Sequence, residues 1–253
     1  MEKKYVLITG ATSGFGKACA QLFAKNNYNL ILTGRRNDRL QELKNQLSAM
    51  VSVETLCFDV RDEASVFQAI ESLPENVKNQ LSILINNAGL AVGRGPIDEG
   101  LIDDWDRMID TNVKGLLYVT RAVVPYIKKA GQGHIINLGS IAGKEVYTGG
   151  NVYCASKHAV DALSKAMRID LLPYGIKVTN IAPGAADTEF STVRFKGDDE
   201  IIKSVYKGFQ PLKAEDVANV IYFAASLPAH VNINDLTIMP TAQASGSHFF
   251  KNE

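Results

Sequence analysis

The chain has 253 residues, 46% of them apolar and 21% charged, proportions that favour a folded core over disorder. Lys plus Arg number 27 and Asp plus Glu number 27, so no net field draws the molecule to nucleic acid or to an anionic membrane. Val6-Leu7-Ile8 is too short an apolar run for a signal sequence or a membrane span, and Cys19, Cys57 and Cys154 lack metal-ligand spacing; the expectation is a cytoplasmic protein with free thiols and no bound metal.

Short runs rich in Val, Ile and Leu alternate with longer segments of helical periodicity. In chain order the reading is strand 5–9, helix 16–26, strand 30–33, helix 38–49, strand 51–58, helix 63–73 and strand 83–86. Helix 104–130, strand 134–138, helix 152–173, strand 177–182, helix 214–226 and strand 235–239 follow. Most of these strands are continuously apolar, the pattern of strands buried on both faces. Strand and helix in alternation predict an α/β doubly wound Rossmann fold, a seven-stranded parallel sheet with helices on both faces. No repeat or linker divides residues 1–253, which are expected to form one domain. Residues 184–211 are polar and weakly periodic, and follow the carboxyl end of a late strand. That position favours a lid over a ligand, with a plain surface loop as the alternative. Residues 243–253 lack periodicity and are expected to form a surface arm or subunit contact.

Strand 5–9 runs into Thr9-Gly10-Ala11-Thr12-Ser13-Gly14-Phe15-Gly16 and then a helix. Glycines there allow a tight turn and close backbone approach to a pyrophosphate, while the helix N-terminus offers unpaired N–H groups. A plain strand-to-helix turn would also explain three glycines, but their place in the first strand–helix unit favours a dinucleotide. Strand two ends Leu32-Thr33-Gly34-Arg35-Arg36, with no carboxylate until Asp38. Arg35 and Arg36 suit bidentate bonds to a ribose 2′-phosphate, so the expected cofactor is NADP(H) rather than NAD(H). Asp59 and Val60 close strand three, where Asp59 could bond the adenine amino group. Asn86-Asn87-Ala88-Gly89 close strand four, where they either brace the neighbouring strands or line the cofactor cleft.

Tyr153 and Lys157 are four apart in a helical segment and project from one face. Carbonyl reduction needs a proton donor at the oxygen, and alcohol oxidation needs the same group as base. A nearby ammonium is expected to pull the phenol below its ordinary pKa of about 10. Lys157 could also bond the nicotinamide ribose. Ser140, at the end of strand 134–138, could donate to the substrate oxygen opposite Tyr153. Asn112 stands mid-helix, either holding a water that links Lys157 to solvent or serving as a packing amide. The four histidines show no paired spacing, which disfavours zinc chemistry.

Taken in order, Thr9-Gly10…Gly14-x-Gly16, Asp59, Asn86-Asn87-Ala88-Gly89, Asn112, Ser140, Tyr153-x-x-x-Lys157 and Pro183-Gly184…Thr188 resemble the short-chain dehydrogenase/reductase family over nearly the whole chain. The resemblance implies a catalytic set of Asn112, Ser140, Tyr153 and Lys157. It also implies that Thr188 and the backbone leading to Pro183 and Gly184 orient the nicotinamide carboxamide. A homodimer or homotetramer built on helices 104–130 and 152–173 is implied too. Gly149-Gly150-Asn151-Val152-Tyr153, Thr188-Glu189-Phe190-Ser191 and Leu227-Pro228-Ala229-His230 look like the narrower group of NADP-dependent 3-hydroxy acid dehydrogenases. Those enzymes oxidise serine, allo-threonine and related 3-hydroxy acids. Arg194 is then a candidate partner for the substrate carboxylate, with a surface or intersubunit salt bridge as the alternative. Asp187 departs from the small residues expected there and places an acid near an anion site. Two further readings stand: a reductase of larger, sepiapterin-like or xenobiotic ketones, and a non-enzymatic NADP(H) sensor.

Overall fold

Each apolar run becomes a strand because neither face of the sheet meets water. A computed structural model, describing residues 4–198, 200 and 204–252, gives β1 Tyr5–Ile8, β2 Asn29–Gly34, β3 Val53–Cys57, β4 Leu81–Asn86, β5 Gly133–Leu138, β6 Ile176–Pro183 and β7 Asp235–Ile238. All pairings are parallel and the order is β3-β2-β1-β4-β5-β6-β7. The helices are α1 Gly14–Lys25, α2 Asn37–Leu47, α3 Glu63–Glu71, α4 Glu75–Lys78, α5 Ile102–Ile109, α6 Leu116–Lys129, α7 Asn151–Asp170, α8 Phe190–Arg194 and α9 Ala214–Ser226. Among the described residues no helix is long and apolar enough to cross a membrane.

β1 shows how sequence becomes layers. Val6 and Ile8 pack with Phe23 of α1, Leu40 of α2 and Ile221 of α9. Tyr5 and Leu7 face the other way, against Ile70 of α3, Val123 of α6 and Val160 of α7. Alternation thus feeds two cores, and each fully buried aliphatic side chain contributes about 1.5–3 kcal/mol. β1 lies between β2 and β4, so the chain winds outward in both directions from it. A crevice opens beyond the carboxyl ends of the strands at such a reversal, where open α/β sheets hold ligands.

Three local expectations change. The helix predicted over 104–130 is two helices, α5 and α6, joined by a π-helical turn at Asp110–Gly115 that contains Asn112. One extra residue in a turn leaves the apolar spacing on either side intact, so periodicity hides it. Loop 184–211 is pinched at its neck, where Ala186 bridges Leu212, Asp187 N donates to Leu212 O at 2.8 Å and Leu212 N to Ala185 O at 3.0 Å. The segment from Gln243 is more than a surface arm. Gln243 is buried, its Oε1 accepts from Ala185 N at 2.7 Å, and Asn252 N donates to Gly208 O at 2.8 Å.

Candidate active site

The crevice is a cleft of about 970 Å³ whose lining runs from Gly10 to Lys251. At one end, Gly10 and Gly14 have φ of 65° and 51°, a region open mainly to glycine. Gly16, in the first turn of α1, packs against the loop, and a Cβ there would collide with the Gly10 carbonyl oxygen and lie 2.6 Å from Asn87 Nδ2. Asn87 Nδ2 donates to Thr9 O at 2.8 Å and Gly10 O at 3.2 Å, which fixes the loop. Ser13 precedes α1 but gives it no side-chain cap, because its Oγ accepts from Arg36 Nη2 at 2.9 Å. The first-turn N–H groups of α1 therefore have no side-chain partner from Ser13. This bare, positive helix end beside glycines is a cradle that fits a pyrophosphate.

Both readings of 86–89 apply, one to each asparagine. Asn86 Nδ2 donates to Thr120 Oγ1 and Asn137 Oδ1, both at 2.9 Å, so it braces β4 against α6 and β5. Asn87, Ala88 and Gly89 line the cleft, together with Thr12, Phe15, Arg35, Arg36, Asp59 and Val60. Arg35 is 60% exposed, 3.6 Å from Asp59. Burial pushes the Asp59 carboxyl up, but hydrogen bonds from Arg61 outweigh it and hold the group below its ordinary range.

At the other end the groups on three different elements converge. Ser140 follows β5; its Oγ accepts from Ala142 N at 3.1 Å, donates to Pro183 O at 3.5 Å and lines the cleft with the Tyr153 phenol. Tyr153 and Lys157 stand one turn apart on α7, both buried. Lys157 Nζ donates to Leu138 O at 2.7 Å, the carbonyl that ends β5. Pro183, Gly184 and Thr188 close the cleft from β6 and the loop after it, with Thr188 beside Gly14.

The expected electrostatics are reversed here. Burial pushes the Tyr153 phenol up, and Tyr147 adds to the shift; Ser140 and Arg194 pull it down by less. Burial also lowers Lys157 from 10.5 to about 8. Dehydration penalises phenolate and ammonium alike, and the Lys157 ammonium is turned to a carbonyl. The cation acting on the phenol is Arg194 from α8. Its Cζ lies 5.4 Å from both the Tyr153 and Tyr147 ring centres, and Nη2 donates to Tyr147 Oη at 2.9 Å. Arg194 Nε is buried without a hydrogen-bond partner.

Asn112 lies behind the cleft, outside its lining. Its Oδ1 accepts from Leu90 N and its Nδ2 donates to Leu90 O, both at 2.8 Å, with Ser156 Oγ at 3.0 Å. Both amide hydrogens and one lone pair of Oδ1 are thus engaged with Leu90 and Ser156, which holds the 89–90 segment. Asp187 is exposed and absent from the lining, with its backbone in the neck bridge. The acid at that position therefore does not line the cleft. Sequence reasoning missed Tyr147, Phe190, whose ring centre is 5.8 Å from that of Tyr153, and the arginine contacts of Glu189. None sits at a spacing that would have marked it.

The short chain dehydrogenase family model matches residues 4–199. The chain is 50% identical over 240 residues to sulfoacetaldehyde reductase 2 of Chromohalobacter salexigens, covering 94% of this chain and 95% of that protein. It is 47% identical to the NADP-dependent 3-hydroxy acid dehydrogenase YdfG of Escherichia coli K12, covering 94% and 96%. Among solved structures it resembles the closed form of serine dehydrogenase complexed with NADP+, with a TM-score of 0.91, 45% identity and coverage of 98% and 100%.

Proposed function

Because the chain belongs to the short-chain dehydrogenase family, we propose that it interconverts the hydroxyl and carbonyl of a small anionic substrate, a 3-hydroxy acid such as serine or allo-threonine. It is an NADP(H)-dependent oxidoreductase; the glycine cradle and the arginines after β2 suit that cofactor. When bound, the cofactor supplies or accepts the hydride. The residues of this chain do the rest. Ser140 Oγ holds the reacting oxygen against the Tyr153 phenol, which lines the same end of the cleft. Tyr153 gives that oxygen its proton in reduction and takes it in oxidation. A phenol raised by burial keeps its proton at neutral pH and is ready as an acid. Lys157, anchored on the Leu138 carbonyl, and the segment behind Gly89 fix the nicotinamide end, with Asn112 as a positioning residue. Residues 184–198 and 204–211 of the loop after β6 cover the substrate, while 199 and 201–203 of the expected lid lie outside the described residues. The enzyme is expected to work as a homodimer or homotetramer.

One observation carries the substrate class: a guanidinium over the Tyr153 ring with a buried, unpartnered Nε. A buried donor without a partner costs about 1–3 kcal/mol, which a substrate acid group would recover. A carboxylate and a sulfonate both present oxygens to such a donor, consistent with relatives named for 3-hydroxy acids and for sulfoacetaldehyde. The test is turnover of 3-hydroxy acids, sulfoacetaldehyde and the methyl esters of the acids, followed at the reduced-nicotinamide absorbance. The free anions should be preferred by roughly 10- to 100-fold in kcat/KM, and Arg194→Met should erase the preference. Esters or large neutral ketones turned over equally well would overturn the anion reading in favour of a general ketone reductase.

A further inference from the structure

Strand two carries no acid beside its arginines, yet an acid reaches them from the far side of the cleft. Glu189, in the loop after β6, lies 153 positions from Arg36. Its Oε2 accepts from Arg36 Nη1 at 2.9 Å and its Oε1 from Arg39 Nη1 at 2.7 Å. Three more of the five Arg36 N–H groups are engaged: Nε and Nη2 bond Thr12 Oγ1 at 3.1 and 2.8 Å, and Nη2 bonds Ser13 Oγ at 2.9 Å. A guanidinium with both of its forked edges occupied has no free fork to offer a phosphate until one partner lets go. The hydroxyl partners belong to the glycine loop that α2 packs beside. The Glu189 carboxylate is half-exposed, and exposed ion pairs are the weak, exchangeable kind. Burial raises its pKa, but the bonds from Arg36 and Arg39 prevail and keep it anionic.

We propose that Glu189 is a cofactor-specificity residue, a tethered carboxylate that holds Arg36 and Arg39 in competition with the 2′-phosphate of NADP(H). This rests on the reading of Arg35 and Arg36 as the 2′-phosphate site, and extends that site to Arg39, one turn into α2. Of the three guanidiniums, Arg35 alone is not engaged by Glu189. Full recruitment of the other two requires Glu189 to release them.

The competition is read directly by calorimetric titration of the full chain with 2′,5′-ADP and with 5′-ADP, which differ in the 2′-phosphate, and by fluorescence titration with NADPH and NADH. E189Q keeps the side-chain shape and removes the charge. It should tighten 2′,5′-ADP and NADPH by about three- to tenfold, the scale of two exposed ion pairs, with 5′-ADP and NADH changed less than about twofold. R39Q should weaken 2′,5′-ADP by a similar factor. E189Q that binds 2′,5′-ADP more weakly than wild type would make Glu189 a scaffold for the arginines, and unchanged binding would make it a bystander; either result overturns the proposal. Equal binding of 2′,5′-ADP and 5′-ADP by the wild type would instead refute the 2′-phosphate reading beneath it.

Discussion

Tyr153 and Lys157 lie within one turn of α7, and burial pushes both away from their charged forms. For the lysine this is a stability statement with a definite sign. Its folded pKa of about 8 lies below its ordinary 10.5, so between those values the unfolded chain binds a proton that the native chain does not. Stability from this group therefore rises as pH climbs from about 8 to 10.5, and below pH 8 the full cost of a buried ammonium is present. That cost is about 3 kcal/mol, from two to three units at about 1.4 kcal/mol each. Lys157→Met should remove it while leaving the Leu138 carbonyl without its donor, a loss of about 1 kcal/mol. The variant should gain about 2 kcal/mol at pH 7, and the gain should fade by pH 10, as denaturant melts at the two pH values would report. Its activity should collapse. Tyr153→Phe separates chemistry from fold: turnover should drop by about 10²- to 10⁴-fold with NADPH binding retained. Near wild-type turnover by the phenylalanine variant would remove Tyr153 from the mechanism.

The π-helical turn between α5 and α6 is an element whose purpose shows only in its contacts. It places Asn112 so that one amide satisfies both the N–H and the C=O of Leu90 and also reaches Ser156 on α7. Gly89 sits in the gap, where a Cβ would be 3.2 Å from Asn112 Oδ1 and 3.5 Å from Lys157 Nζ. Asn112→Ala would leave two buried backbone groups unpaired, a loss of about 3 kcal/mol, or roughly 6–12 °C in melting temperature for a chain of this size. kcat should fall more than substrate KM changes, since the loosened segment lies behind Lys157. An unchanged melting temperature would mean water replaces the amide. The sequence showed Asn112 as a polar residue in an apolar stripe, but not the turn that aims it. The strands were far more legible, because runs such as Leu30 to Leu32 are apolar without alternation and admit few alternatives. β3, one of the two edge strands, was overextended at both ends, because Val51 and Phe58 beyond it are buried apolar residues like those of a strand. The glycine loop, Ser140, Tyr153 and Lys157 were legible through fixed local spacing. Glu189 and Tyr147 were not, because their contacts join segments that only the folded sheet brings together.

Across the whole molecule, the sheet that builds the crevice also stores a titratable group far from it. His134 on β5 is buried between strands, with Nε2 2.7 Å from Thr179 Oγ1 on β6 and Nδ1 unpartnered. Thr179 Oγ1 can donate to Asn232 Oδ1 at 3.4 Å, which assigns the ring proton to Nε2 and leaves Nδ1 a bare acceptor in an apolar place. Burial, with a smaller contribution from Lys177, lowers its pKa from 6.5 to about 3. The unfolded chain therefore takes up a proton below pH 6.5 that the native sheet refuses, and stability falls as pH drops through that window. The paired carboxylates Asp59 and Asp161 behave differently: each is held below its ordinary 3.8, so their contribution is lost only at still lower pH. Between pH 6.5 and 4.5 the slope from His134 should approach 1.4 kcal/mol per pH unit, about 3 kcal/mol in all. His134→Leu, similar in bulk and unable to titrate, should flatten that part of the curve and leave the acid limb below pH 4 in place. Urea melts at half-unit pH steps distinguish the cases, and parallel curves for wild type and variant would show that the acid sensitivity of the fold arises elsewhere.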